Sequence, residues 1–311
     1  MTPSTSSQEL SIHGDVRYRS ERLKKTGSKV NKRDRIRARL NIEATLSKKI
    51  SALIGISSGQ KNTSRNQTLT NYFEPKEVNL NLAHIHWKWS QKSSLKLGKM
   101  EIPYITPGKS DLLLNSNITP EGLNFSFSKK FLKLETNLKI SKFWLMDEKK
   151  ISDQIWRGGQ LNLSLFFSKL RFKAGVSFFD TTFENLDTDI LEGYLSFKTP
   201  FFVTSLELWL DIMENIKSPT ASRASMIGLL LGTPRKAYDI ELSIQYGDFD
   251  RHSVIAGLTH GKNNSHIREK EFRATLLLTK ELKLATRLTF EENMTKKELS
   301  KSLKMDLSVK F

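Results

Sequence analysis

The chain has 311 residues, with 50 Lys and Arg against 33 Asp and Glu, a formal net charge of +17 and no cysteine. The missing thiols exclude a disulfide framework and any zinc-thiolate site. No run of 18 apolar residues occurs, which excludes a membrane-spanning helix but not membrane-spanning strands, whose apolar residues hide at every second position.

Residues 1–10 are polar and lack the apolar core of a secretory signal; they are expected to be disordered, with a single domain over 11–311. A first strand is read at 12–21. Residues 33–44 then alternate cleanly. Arg33, Arg35, Arg37, Arg39, Asn41 and Glu43 point one way, and Ile36, Ala38, Leu40, Ile42 and Ala44 the other. A turn at 47–49 leads to a strand at 50–57, followed by a polar stretch at 58–76. Strands at 78–89 and 95–102 come next. Their alternation slips at Leu82 and Ala83 and near Lys99, as a bulge in each would cause. A long connection, 103–120, separates them from strands at 122–128 and 131–144, which are joined at Lys129 and Lys130.

The same rhythm continues through strands at 155–167 and 170–180, at 190–198 and 202–213 around Pro200, and at 225–231 and 238–247. Residues 248–266 are read as one loop, although 253–258 could form an extra strand. Strands at 268–279 and 282–290 precede the last one, 301–311. There Leu303, Met305, Leu307, Val309 and Phe311 share a face, opposite Lys304, Asp306, Ser308 and Lys310. A bare terminal strand of this kind exposes an apolar face and an open edge unless it closes a barrel. A terminal aromatic on such a strand resembles the assembly signal of bacterial outer-membrane barrels, which assigns that role to Phe311.

The expected fold is all-β: a closed antiparallel transmembrane β-barrel of 16 strands, an even number that puts both termini on one side. Apolar rows such as Leu134, Thr136, Leu138 and Ile140, or Leu161, Leu163, Leu165 and Phe167, carry no Lys or Arg. Such a charge on lipid at mid-bilayer would cost about 2–4 kcal/mol. Trp87, Trp89, Phe131, Phe143, Trp144, Phe167, Phe201, Phe202 and Phe311 gather at strand ends, as interfacial girdles require.

Several runs resemble the bacterial putative porin family: GDVRYR at 14–19, RDRIRARL at 33–40, SSGQKNTSRNQTL at 57–69, LGKMEIP at 97–103 and SDLLLNSNITPEG at 110–122, together with 78–89. The resemblance implies an outer-membrane porin, a water-filled channel for passive diffusion of small hydrophilic solutes. It implies lipid and lipopolysaccharide as surroundings, the barrel-assembly machinery as a partner, and room for a homotrimer, although no trimer face is marked in the sequence. In 16-stranded porins the third extracellular loop folds into the lumen, which implies a constriction at 103–120 with Lys109 and Asp111, flanked by Glu101 and Glu121.

The basic wall is then expected from Arg17, Arg19, Arg33, Arg35, Arg37, Arg39, Lys133 and Lys139, with Arg171, Lys173, Arg273, Lys283, Lys304 and Lys310 on further inward faces. Glu135, Glu192, Glu207, Asp211, Asp239 and Glu241 offset them only in part, which suggests weak anion preference. His84 and His86 share a face but lack a third metal ligand. Glu291 and Glu292 read as a loop charge pair. No nucleophile, P-loop, dinucleotide or HExxH motif is present, so neither an enzyme nor a cofactor is expected. Two other readings are a basic β protein binding nucleic acid or acidic polysaccharide, and a plugged structural or adhesive barrel. Charge recurring on nearly every strand, opposite an uncharged face, argues against a nucleic-acid patch.

Overall fold

A strand with one apolar and one polar face must bury or solvate each face separately, and a sheet built of such strands removes its open edges only by closing on itself. The computed structural model describes residues 9–59, 65–69, 75–146, 154–183, 186–218, 220, 222–253 and 266–311. The strands are β1 (Glu9–Lys25), β2 (Asn31–Thr45), β3 (Ile50–Ser58), β4 (Gln67–Thr68), β5 (Val78–Lys88), β6 (Ser93–Lys99), β7 (Glu121–Phe131), β8 (Leu134–Met146), β9 (Gln154–Phe167), β10 (Leu170–Phe183), β11 (Leu186–Phe201), β12 (Thr204–Asn215), β13 (Arg223–Leu231), β14 (Ile240–Phe249), β15 (Ile267–Leu277), β16 (Leu282–Asn293) and β17 (Glu298–Lys310).

All but β4 form one closed antiparallel ring of 16 strands. Closure runs between β1 and β17, from Asp15 opposite Lys310 to Lys25 opposite Ser300. β3 pairs with β2 only over Arg39–Thr45 of that strand. β4 adds to β2 above it, with Thr68 opposite Arg35. The start of β1 and the end of β17 sit at the short-turn end: Glu9 pairs with Thr45 beside the 46–49 turn, and Lys310 N donates to Glu281 O at 3.0 Å.

The apolar rows face outward. Ile54, Ile140, Leu195 and Ile227 are all at least half exposed, whereas Asn124, Gln160, Asn162, Glu192 and Asp211 on the opposite parity are buried. This inverts the pattern of a water-soluble domain and fits an apolar solvent outside. The bulge expected at Leu82 is present, since Gly55 opposes Leu82 while Ile56 opposes Leu80. None lies near Lys99; the other register shift falls between Trp144 and Met146.

Positive-φ turns explain the boundary differences at β7 and β11. Leu132, Ser168 and Phe202 open two-residue hairpins with φ of 51°, 53° and 50°, the one at Ser168 falling where the strands expected at 155–167 and 170–180 leave it. Such turns favour Gly or Asn at positive φ, and none is present to mark these. Lys129 and Lys130 therefore stay in β7, opposite Thr136 and Glu135. Pro200 stays in β11, opposite Ser205. Tyr238, at φ 68°, precedes β14 rather than starting it. Residues 254–258 of the alternative extra strand lie outside the described residues, but β14 and β15 pair directly, which leaves no place between them in the ring. Glu291 and Glu292 are the strand end of β16, not loop. β1 begins at Glu9, two residues inside the segment expected to be disordered.

Trp87, Trp89, Phe131, Phe167, Phe201, Phe202 and Phe311 are exposed at the short-turn end, and Trp144 at the other. Phe143 is the exception. It lies on the inward parity of β8 and is 1% exposed, so it belongs to the interior and not to a girdle.

Candidate pore lining and constriction

Segment 100–120, between β6 and β7, carries Met100, Tyr104, Leu112, Leu113 and Leu114 into one buried cluster. Their partners are Phe143, Trp156, Phe179, Ile190, Trp209, Met213, Met226 and Phe249, which come from β8 to β14. Apolar side chains on an inward face need such a lid, because the lumen otherwise leaves them in water. Tyr104 packs edge-on to Phe179 with ring centroids 4.8 Å apart. Polar anchors fix the height of the segment. Ile105 N donates to Gln160 Oε1 at 2.7 Å, and Gln160 Nε2 donates back to Ile105 O at 2.9 Å. Ser110 Oγ donates to Asp211 Oδ2 at 2.5 Å. Gly108 takes φ 51° with Trp209 against its Cα, so that an added Cβ would stand 2.1 Å from the indole nitrogen.

On β1, β2 and β15–β17 the lining is charged. On β1 and β2 the inward rungs are Asp15 opposite Arg39, Arg17 opposite Arg37, Arg19 opposite Arg35 and Glu21 opposite Arg33. Like charges directly opposite each other are destabilising. They persist here because carboxylates interleave. Asp15 bonds both Arg37 and Arg39. Glu21 meets Arg33 at 2.9 Å, Arg35 at 3.6 Å and Lys304 at 3.8 Å. Across the closure, Asp306 holds Arg19 through two bonds of 2.6 and 2.7 Å and Arg17 at 3.5 Å. On β15 and β16, Glu271 holds Arg273 and, at 3.7 Å, Arg287. The cations outnumber their carboxylates at every one of these junctions.

The six wall arginines named from the sequence are thus brought together on β1 and β2. Lys139 is inward on β8 and its Nζ donates to Pro103 O, which ties it to segment 100–120. Lys133 is not a wall residue. It is the second residue of the Leu132 hairpin, and its ammonium lies 5.6 Å from the Phe167 ring. Lys109 bonds Glu241 on β14 at 3.0 Å, and Asp111 attracts Arg287 electrostatically. Glu101 is exposed at the start of the segment. Glu121 departs from the expected constriction: it pairs in register with outward Trp144 and bonds Lys99 at 2.5 Å. Asp239 is not on the wall either; it caps the β13–β14 turn by accepting from Arg235 N and Lys236 N, both at 2.8 Å. His84 Nδ1 lies 3.3 Å from Lys99 O.

Sequence reasoning missed the counter-charges Asp15, Glu21 and Asp306. The first two were legible, since they share odd parity with Arg17 and Arg19. Asp306 opposes Arg19 only because the ring closes. Arg65, in the polar stretch between β3 and β5, was invisible as a lining residue because no strand period reaches it.

A sequence profile described as that of a putative porin matches residues 15–266. No curated protein sequence matches the chain. Among solved structures, Pseudomonas putida OprB is similar with a TM-score of 0.68 at 9% identity, covering 97% of this chain and 94% of that one. Salmonella typhi OmpF aligns with a TM-score of 0.62 at 10% identity over 97% of each chain. The anion-selective porin from Comamonas acidovorans has a TM-score of 0.60 at 14% identity, over 98% of this chain and all of that one. At these identities the likeness concerns the fold.

Proposed function

The chain belongs to the putative porin family, an outer-membrane barrel that forms a channel, and on that premise we propose that it passes small hydrophilic solutes and ions by diffusion with a preference for anions. The observation that carries the preference is the lining of β1, β2 and β15–β17, where arginine and lysine exceed Asp15, Glu21, Asp306 and Glu271. Fixed charge of one sign along a narrow wet path raises the local concentration of the opposite ion. Segment 100–120, held against β8–β14, is the constriction in this reading, and the free lumen lies between it and the arginine-rich wall. Lys109 and Asp111 give the segment both signs of charge, so that solutes cross a transverse field.

A homotrimer is the assembly we expect, in keeping with the trimer form of Vibrio cholerae OmpT, a structure of the same fold. Phe311 serves as the assembly signal: it is 61% exposed, and its backbone is clamped by Gly14 N donating to Phe311 O at 2.8 Å and Phe311 N to Gly14 O at 3.1 Å.

The test is a planar-bilayer measurement under a salt gradient. The expected reversal potential has the sign of chloride passing faster than potassium. The opposite sign would refute the anion preference, and a heat-modifiable barrel without conductance would replace the channel by a plugged barrel.

A further inference from the structure

Among the described residues Arg65 is the only buried Lys or Arg, and no ion pair explains its burial. It is 8% exposed, in the short described stretch that leads into β4. Among the described residues no carboxylate stands within ion-pair distance of it, and its Nε has no hydrogen-bond partner. Its backbone is held in place, since Ser58 Oγ donates to Arg65 O at 3.2 Å. The neighbouring Asn66 accepts from Arg17 and, through its backbone oxygen, from Arg35 at 2.9 Å. The guanidinium is therefore positioned and is not a loose surface group.

The charges acting on it are, in order, those of Arg39 and Arg37, which repel it, and those of Glu101 and Asp15, which attract it. Burial first, and then the two arginines, press its pKa down to about 10. Arg37 and Arg39 already share the single carboxylate of Asp15. Three guanidinium groups thus converge on one side of the lumen with one counter-charge in contact. A buried, unpaired guanidinium is costly, and it persists where something else supplies the missing charge. Planar forks of N–H donors match a tetrahedral or carboxylate oxyanion in a way that a monatomic halide does not.

We propose that Arg65, Arg37 and Arg39 form a discrete binding site for a doubly charged oxyanion of the phosphate type, inside the lumen beside β2. This deepens the reading of the lumen as an anion path and rests on it. Two negative charges would neutralise what Asp15 leaves over. The ligand comes as a free solute, because Arg37 and Arg39 stand on the same inward parity of β2 as the rungs that meet Asp15 and Glu21, away from the apolar outer face. Occupancy slows chloride, since both anions use the same wall, so the channel binds one class of anion while it passes others.

The experiment uses the full chain, folded in detergent and reconstituted in planar bilayers, with inorganic phosphate at pH 8 as probe and inorganic sulfate and succinate as parallel arms. Phosphate should reduce chloride current saturably. In Arg65→Gln the half-blocking concentration should rise about tenfold, as the loss of one charge-assisted contact implies. Arg65→Lys, which keeps the charge without the fork, should fall between. Heat-modifiable mobility should be unchanged and a chloride-conducting channel should remain, its conductance lowered by less than about twofold, which separates loss of the site from misfolding. Block by phosphate and sulfate but not succinate assigns tetrahedral oxyanions; equal block by succinate widens the class to dianions. Calorimetry with phosphate on the detergent-folded protein is independent of conductance. Saturable binding without any conductance would keep the site and overturn the channel. Conductance with no saturable phosphate binding, or binding untouched by Arg65→Gln, would overturn the site and leave the channel standing.

Discussion

On the wall covered by segment 100–120, Glu192 and Asp211 are fully buried and are met by hydroxyls: Ser177 Oγ donates to Glu192 and Ser110 Oγ to Asp211, both at 2.5 Å. On the opposite wall, Asp15, Glu21 and Asp306 are each met by two or more cations. The first wall is dry and packed with aromatic side chains, and a charge in excess there would have no solvent. The second carries cations beyond what its carboxylates neutralise, which is tolerable only where water and mobile ions complete the balance. In the proposed channel, the distribution of excess charge, more than its total, decides where ions run.

The most forceful way to break this contrast is to push the segment off its wall. Gly108→Val places a β-branched side chain at φ 51° and against Trp209, so the segment should swing towards the arginine wall and single-channel conductance should fall about two-fold. Trp209→Ala in the same chain should recover much of it; unchanged conductance in Gly108→Val would show that the segment does not border the path. Reversing the open wall comes next. Arg37→Glu with Arg39→Glu should invert the sign of the reversal potential, while Lys142→Glu, on the outward parity of β8 with its ammonium 5.8 Å from the Trp144 ring, should leave the sign alone.

A smaller effect is expected from removing a counter-charge. Asp15→Asn leaves Arg37 and Arg39 without their carboxylate and should cost about 2 kcal/mol, below the ~3–5 kcal/mol of a fully dry pair because the lumen is wet. Heat-modification on gels should then occur at lower temperature while anion preference rises; a rise in stability would mean that the pair is strained. The smallest effect lies outside both walls. Two backbone N–H bonds, from Arg235 and Lys236, hold the exposed Asp239 carboxyl below its usual range. Its stabilisation of the turn is present above the ordinary value of 3.8 and is lost as pH falls through the lower folded value. Asp239→Asn should therefore flatten the acid side of the heat-modification profile slightly and leave selectivity untouched.

Much of this architecture was legible in one dimension. All 16 ring strands follow from period-two alternation, because facing repeats every two residues whatever the partner. The wall arginines Arg17, Arg19, Arg33, Arg35, Arg37 and Arg39 were legible for the same reason. Lys133 was misplaced because Leu132 turns the chain at positive φ without a glycine to announce it. Phe143 was misread although its odd parity, shared with Lys139, already turned it inward; what local sequence hid is segment 100–120, which covers it.

The order of residues thus determined where the strands lie, the oily exterior and the cationic rows, all of which are properties of a strand taken alone, while the direct pairing of β14 with β15 settled the count. Only the closed ring decided which charges meet. Asp306 reaches Arg19 across nearly the whole length of the chain, Ser110 reaches Asp211 from 101 residues away, and Arg65 comes to rest beside Arg37 and Arg39 from a connection with no period of its own. Contact between distant segments depends on closure and register, and local alternation carries no information about either.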